Sequence, residues 1–323
     1  MATACAGAPS RQAVSAPFAE EALDVAQVFV EDKGSEGVPR PVVRQHNYVI
    51  EFGPYSAEVD PADGARIVAF SLNGSSVIAS RKGSPEAYGS TLWTSPQSDW
   101  QWPPPPEIAA AEWQARVEGS TLVLTSETSP KLNLSAEQRL RGDQDTGALV
   151  IDVILKNHGS EPRKVAPWQN TRVRPGGLTF YPSTEPAVAE SHRLEPVDGI
   201  VWFQHDPGGV TESYKLFGDG NEGWLAHVDG DLLLVKVFPD VPPDAQAPGE
   251  AEIEIYVPGS GGFVEVEQQG AYEAISPGGE SRWTVRWLVR RLPSDVDVRP
   301  SSDGLLHFVR ELAQRVRASP ERA

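Results

Sequence analysis

The sequence predicts an all-β fold, a large antiparallel two-sheet sandwich with one C-terminal amphipathic helix docked on it, and three observations carry that prediction. Short alternating or β-branched runs recur from Asn47 to Val289, each of strand length and each bounded by Gly, Pro, Asn or Asp. Gly and Pro number 29 each against one Met and one Cys, a balance that suits many turns better than a helical bundle. Helical spacing of apolar residues is clear only at the end of the chain.

Residues 1–40 are rich in Ala, Ser, Glu, Pro and Gly and read as a tether, with one short helical turn around Ala19 to Val28. The sandwich is expected over 41–296. Its strands include Tyr48 to Phe52, Tyr55 to Val59, Arg66 to Leu72, Leu122 to Thr125, Leu149 to Leu155 and Val201 to His205. A hairpin is expected from Trp224 to Phe238, where Asp229-Gly230 supplies the positive φ angles of a type I′ turn. Glu252 to Val257 and Trp283 to Val289 follow; in the latter Trp283, Val285, Trp287 and Val289 share one face, and Thr284, Arg286 and Arg290 the other. In the last segment, 297–323, Ser301, Ser302 and Asp303 offer a helix N-cap. Leu305, Phe308, Val309, Leu312 and Val316 then fall on one stripe. No internal repeat and no strong mid-chain linker divides the chain, which favours one large domain.

Composition excludes some partners. With 45 acidic against 28 basic residues and a net charge of -17, the surface repels phosphate backbones, so nucleic acid and anionic membranes are not expected partners. No apolar run reaches the roughly 20 residues that span a bilayer. The single cysteine, Cys5, stands in Ala-Thr-Ala-Cys-Ala-Gly and reads either as the lipid acceptor of a bacterial lipoprotein or as a chance residue of the tether. The first reading gives a secreted or envelope-anchored protein whose only membrane contact is a lipid on Cys5. One cysteine allows neither a disulfide framework nor a thiolate metal site. No two histidines have zinc spacing, Asp219 to Glu222 lacks the order of a calcium loop, and no Gly-rich phosphate loop or Gly-x-Ser-x-Gly elbow occurs. No cofactor and no metal are expected.

Three stretches, in order, resemble the galactose mutarotase-like superfamily, which includes aldose 1-epimerases. "AEVDPADGARIVAFSLNGSSVIAS" from Ala57 looks like its opening hairpin. "GALVIDVILKNHGSEPRKVAPWQNTRV" from Gly147 is similar to its central strand, which ends in Asn-His and turns through a Pro into the site. "GGFVEVEQQGAYEAISPGGESRWTVRWLV" from Gly261 resembles the late strand that carries a catalytic Glu. The resemblance implies a β "supersandwich" and a carbohydrate ligand. One feature departs from the pattern: the epimerases place a general-acid His just after the central turn, and Ala166-Pro167-Trp168-Gln169-Asn170 contains none. "STLWTSPQSDWQWPPPPEI" from Ser90 is also outside the epimerase pattern and looks like the mark of a bacterial branch of the superfamily.

Glu265 and Glu267 lie two apart on a predicted strand and therefore share a face, roughly 6 to 7 Å apart. Carboxylates this close shift each other's pKa, and the less solvated one keeps a proton near neutrality. The resemblance matches Glu267, followed by Gln268 and Gln269, to the catalytic Glu. The plainer alternative is a solvated strand face, because Glu252 and Glu254 repeat the spacing. Trp93, Trp100 and Trp102 crowd ahead of Pro103 to Pro106, a stiff segment able to hold indole faces against a pyranose, with Gln97, Asp99 and Gln101 as hydrogen-bonding partners. The same tryptophans equally suit a plug for one end of the sandwich. Trp168, Gln169, Asn170 and Arg172 form a second aromatic and amide cluster. His205, beside Asp206, is the expected substitute acid; His158 reads as a turn residue and His307 as helix surface. Three functional classes remain open: a carbohydrate-active enzyme (epimerase, lyase or hydrolase) with Glu267 as base, a non-catalytic carbohydrate-binding or envelope-structural lipoprotein, and a protein-interaction module built on the Trp-Pro loop. The first two require the late Glu strand, the Asn-His turn and the Trp-Pro loop to meet at one mouth.

Overall fold

Strict alternation along a strand sends neighbouring side chains to opposite faces, so a chain with many such strands buries one face by stacking two sheets. A computed structural model describes residues 39–85 and 87–319. Cys5 and residues 1–38 of the expected tether lie outside the described residues.

Among the described residues one antiparallel sheet has thirteen strands and the other nine. The larger runs from Val42–Arg44 at one edge, through Asn47–Phe52, Tyr55–Asp60, Arg66–Leu72 and Ser90–Ser95, to the long central strand Arg163–Val173. It continues with Val264–Gln269, Ile253–Val257, Tyr214–Gly218 and two short strands at the far edge. The smaller is ordered Ile200–Gln204, Leu178–Pro182, Trp224–Asp229, Leu232–Val237, Glu280–Arg291, Ala148–Asn157, Leu134–Asp143, Thr121–Thr125, Gln114–Glu118. The fold class read from the sequence is therefore the fold observed.

The inner faces share one core. Trp283, Val285, Trp287 and Val289 enter it together, as their alternation requires, and Trp287 meets Phe70 of the facing sheet edge-on at 5.9 Å. The hairpin at Trp224 also forms, but Asp229 pairs with Leu232, so the loop residues are Gly230 and Asp231. Gly230, with φ 64°, is the first of them and no positive φ occurs at Asp229 or Asp231, which corrects the turn from type I′ to type II′. Ser302 caps the helix Asp303–Ala318 by accepting from the Leu305 amide at 3.3 Å. Leu305, Val309, Leu312 and Val316 bury against Phe180, Trp224, Val235 and Leu288 on the outer face of the nine-stranded sheet. No described helix is long and apolar enough to cross a membrane.

With the helix covering part of one outer face, the outer face of the thirteen-stranded sheet is left to carry the polar side chains of its middle strands.

Candidate functional site

Pairing across the middle strands sets out those side chains in rows. Asn170 of the central strand lies opposite Thr91 on one side and Glu267 on the other, and Glu267 lies opposite Glu254, which lies opposite Phe217. In the next row Trp93 faces Trp168 and Trp168 faces Gln269. On the other side Arg172 faces Glu265, Glu265 faces Tyr256 and Tyr256 faces Lys215. Residues two apart share a face, so all of these look outward together, while Gln169, Thr171, Val266 and Gln268 look into the core.

A cavity of about 420 Å³ opens on this face, walled by Trp102 and Phe217, with Gln97, Gln101, Lys215 and Glu250 completing it. Lys215 belongs both to this lining and to the buried layer under it: its Nζ donates to Glu254 Oε2 at 2.6 Å and to Glu267 Oε2 at 3.3 Å, and lies 4.5 Å from the centre of the Trp168 ring. Trp168 Nε1 donates to the same Glu267 oxygen at 2.6 Å. Glu267 Oε1 and both amide atoms of its cross-strand neighbour Asn170 are buried without a protein partner.

One ammonium cannot hold two buried carboxylates fully ionised. Burial pushes the Glu267 carboxyl up to about 8; Lys215 opposes this, and Glu265 and Glu254 add to it. Burial likewise raises Glu254 to about 7 against the pull of Lys215. Burial alone would lower Lys215, yet the two carboxylates outweigh it and keep the ammonium above its usual range. The cluster therefore stores a proton on carboxylate oxygen at neutral pH beside a permanent cation.

The structure divides the residues singled out from the sequence. Glu265 and Glu267 share the outward face as expected, and Glu267, Trp168, Asn170, Trp93, Trp102 and Gln97 gather in or under the cleft. Arg172 is there too, but its guanidinium is committed: Nε donates to Glu265 Oε1 at 2.8 Å and Nη1 to Thr91 Oγ1 at 2.7 Å, over the Trp93 ring. Trp100 is buried, donates Nε1 to the Thr94 carbonyl at 2.8 Å and packs against Trp93 and Trp168, so it is the loop plug. Asp99 turns away to pair with Arg163 at 2.9 Å. Gln169 points inward by parity, where its Oε1 accepts from Trp287 Nε1 at 3.0 Å and from Gln268 Nε2 at 2.5 Å.

His205 does not join them. It follows the edge strand of the nine-stranded sheet, where its Nδ1 accepts from the Gly176 amide at 2.6 Å. The Asn-His turn is also elsewhere: His158 Nε2 meets Ser135 Oγ at 2.8 Å in a separate groove with Lys156 and Glu280. The three-way convergence expected from the sequence therefore fails in part: the Glu strand and the Trp-Pro loop meet through the strand that follows the turn, the turn itself takes no part, and a sugar site on this face rests on those two segments alone. Glu252 and Glu254 are not a solvated face; both are fully buried, and Glu252 accepts from the Val241 and Gly220 amides at 2.8 Å each. Lys215, Glu250 and Glu254 are the site residues that the sequence reading passed over. The one signal for the two glutamates was the repeated Glu-x-Glu spacing, which an alternating pattern cannot assign to water or to a neighbouring strand, and nothing local marks Lys215. No group of three His, Cys, Asp or Glu among the described residues is arranged to hold a metal.

The model of a family described as domain of unknown function (DUF4380) matches residues 50–290. No curated protein matches the chain. Among solved structures, a galactose mutarotase related enzyme from Lactobacillus acidophilus aligns with a TM-score of 0.56 at 10% identity, over 78% of this chain and 99% of that one. A galactose mutarotase-like protein from Lactobacillus casei ATCC 334 gives 0.54 at 10%, over 76% and 100%. A TPR-domain containing protein from Parabacteroides distasonis ATCC 8503 gives 0.54 at 14%, over 80% of this chain but only 49%, about half, of that longer one. At such identities the likeness establishes a mutarotase-like sandwich and leaves the chemistry to the residues themselves.

Proposed function

Given that the chain belongs to the family described as domain of unknown function DUF4380, whose matched span contains the whole cleft, we propose that it binds a carbohydrate there and that Glu267 is the proton-carrying group of the site. The observation that carries this reading is the pair of cross-strand neighbours, Asn170 and Glu267, with three buried polar atoms left unpartnered beneath an aromatic-walled cavity. A buried polar atom without a partner costs stability, and a hydroxyl-rich ligand is the chemistry that satisfies donors and acceptors together. Trp102, 69% exposed, offers its face to the apolar side of a pyranose, and Gln97 and Gln101 offer amides at the rim.

Catalysis on this site would run without the missing histidine. Glu267 holds a proton near neutral pH beneath the cavity and Lys215, 3.3 Å away and part of the cavity wall, supplies a fixed positive charge, so turnover requires the cleft to open far enough for Glu267 Oε1 to meet a sugar oxygen. A specific observation favours the second reading, binding without turnover: Trp168 and Lys215 both occupy Glu267 Oε2, and the side chain has no exposed surface.

A glycan array with product analysis on the wild type, Trp102→Ala and Glu267→Gln tests both readings. Trp102→Ala is expected to weaken sugar binding about tenfold, the effect of losing roughly 1.4 kcal/mol of stacking, with no change in thermal stability because the ring is so exposed. Glu267→Gln is expected to abolish any turnover and to spare binding. A wild type that binds no sugar defeats the proposal; a wild type that binds sugar and converts none selects the second reading.

A further inference from the structure

One cation lies inside the sandwich, on the other side of the cleft floor. Lys236, on the strand Leu232–Val237 of the nine-stranded sheet, has no exposed surface, and its Nζ crosses the core to the two strands that carry the site. It reaches Thr171 Oγ1 at 2.7 Å, the Val266 carbonyl at 2.9 Å and Gln268 Oε1 at 2.8 Å. Those residues interleave with the outward-facing ones: Thr171 stands between Asn170 and Arg172, and Val266 and Gln268 flank Glu267. The Nζ also lies 5.0 Å from the centre of the Trp287 ring.

Counting protons through this layer fixes the state of the lysine. Ser90 Oγ donates its one proton to the Asn170 carbonyl at 2.9 Å, so at the 2.7 Å contact between the two hydroxyls it is Thr171 that donates to Ser90. Thr171 Oγ1 is then left to accept from Lys236. The Gln268 amide nitrogen donates to Gln169 Oε1, which also accepts from Trp287 Nε1, so the Gln268 oxygen faces Lys236. The Val266 carbonyl can only accept. Three acceptors take three protons, and only the ammonium has three.

Burial pulls the Lys236 pKa well below that of a free lysine, Glu267 opposes the shift and Arg172 adds to it. Its strand neighbours Leu225 and Trp287 bring no charge, and the buried His227 of the adjacent strand stays neutral. No carboxylate touches the Nζ, yet Glu267 sits one residue along from two of its acceptors. Around Glu267 itself stand Lys215, Glu254 and Glu265 on the cleft side.

We propose that Lys236 is a positioning residue for the cleft: its ammonium ties together the strands bearing Asn170, Arg172, Glu265 and Glu267 and places a fixed positive charge behind Glu267, opposite Lys215. A methionine would fill the volume without desolvating a charge, and the three acceptors would have no use for it. The role extends the reading of Glu267 as a proton carrier to the layer beneath it, and testing it needs no sugar.

The test is carboxyl carbon NMR of Glu267 and side-chain nitrogen NMR of Lys236 in the intact chain. In the wild type the Lys236 nitrogen is expected to appear as an ammonium at pH 7. In Lys236→Met the titration midpoint of Glu267 is expected to rise by about one pH unit, the effect of removing a unit charge from behind the carboxyl in a partly screened interior. The midpoint of Glu252, whose charged neighbours are Asp240 and Asp219, should not move. A folded Lys236→Met with an unshifted Glu267 midpoint overturns the proposal, as does a neutral amine in the wild type. Should Lys236→Met not fold, the wild-type nitrogen spectrum decides by itself, ammonium for and amine against. A wild type that binds no sugar would sink the function proposed for the cleft and leave this result standing.

Discussion

Arg172→Met is expected to remove about 3 to 5 kcal/mol of folding stability, the range for taking one partner from a buried ion pair. The side chains of Arg172 and Glu265 are 8% and 11% exposed, and their 2.8 Å contact lies on the central strand pair of the larger sheet. Methionine replaces the apolar length of arginine but leaves the Glu265 carboxylate in the sheet without the cation that touches it. Thr91 Oγ1 loses its donor as well. The distinguishing comparison is the double variant Arg172→Met with Glu265→Gln, which removes both charges and should recover more than half of the loss. Urea denaturation at pH 7 reads all four corners of the cycle. A single-variant loss under about 1 kcal/mol, the worth of an exposed pair, would mean that water reaches this contact.

That pair shows how far the sequence could be read. Alternation alone placed Glu265 and Glu267 on one face and Trp283, Val285, Trp287 and Val289 on another, because the period of two is local and needs no knowledge of neighbours. The capped helix was legible for the same reason: its stripe and its cap both lie within eighteen residues of each other. What alternation does not contain is which strand lies alongside. Lys215 meets Glu254 and Glu267 only because Tyr214–Gly218 pairs with Ile253–Val257, a partnership across 39 residues, and Glu254 looks like solvated surface until that lysine is beside it. Gln169 and Trp168 are adjacent in sequence and go to opposite sides of the sheet, so an aromatic and amide cluster read as a unit was in fact two. His205 failed for a topological reason: its strand belongs to the smaller sheet. Strand-length alternation and the resemblance to the mutarotase-like superfamily both pointed to the sandwich, and the pairing of strands, which no short motif encodes, supplied the cluster around Glu267.

The nine-stranded sheet carries a different liability, and it appears on acidification. His227 is buried, with Nδ1 at 2.9 Å from Thr179 Oγ1 and Nε2 unpartnered, and burial drives its pKa down to about 4; the Asp229 carboxylate opposes the shift, while His205, Arg174 and Lys236 reinforce it. Burial also lowers His205, against the pull of Asp206. A base whose pKa is depressed by folding binds its proton more readily in the unfolded chain. The stability owed to neutral His227 is therefore complete above pH 6.5 and is lost as the pH falls from 6.5 to 4, in total about 3 kcal/mol. Glu252, Glu254 and Glu267 act in the opposite sense, because carboxyls raised by burial to about 8, 7 and 8 stabilise the folded chain as the pH falls from there toward 4.5. The raw profile of melting temperature against pH mixes the two. The difference between the wild type and His227→Phe does not, since the carboxyl contributions are common to both. That difference is expected to be flat above pH 7 and to shift by about 3 kcal/mol in favour of His227→Phe between pH 6.5 and 4. A difference that stays constant across the window would show that His227 is already protonated in the folded protein, or that solvent reaches its ring.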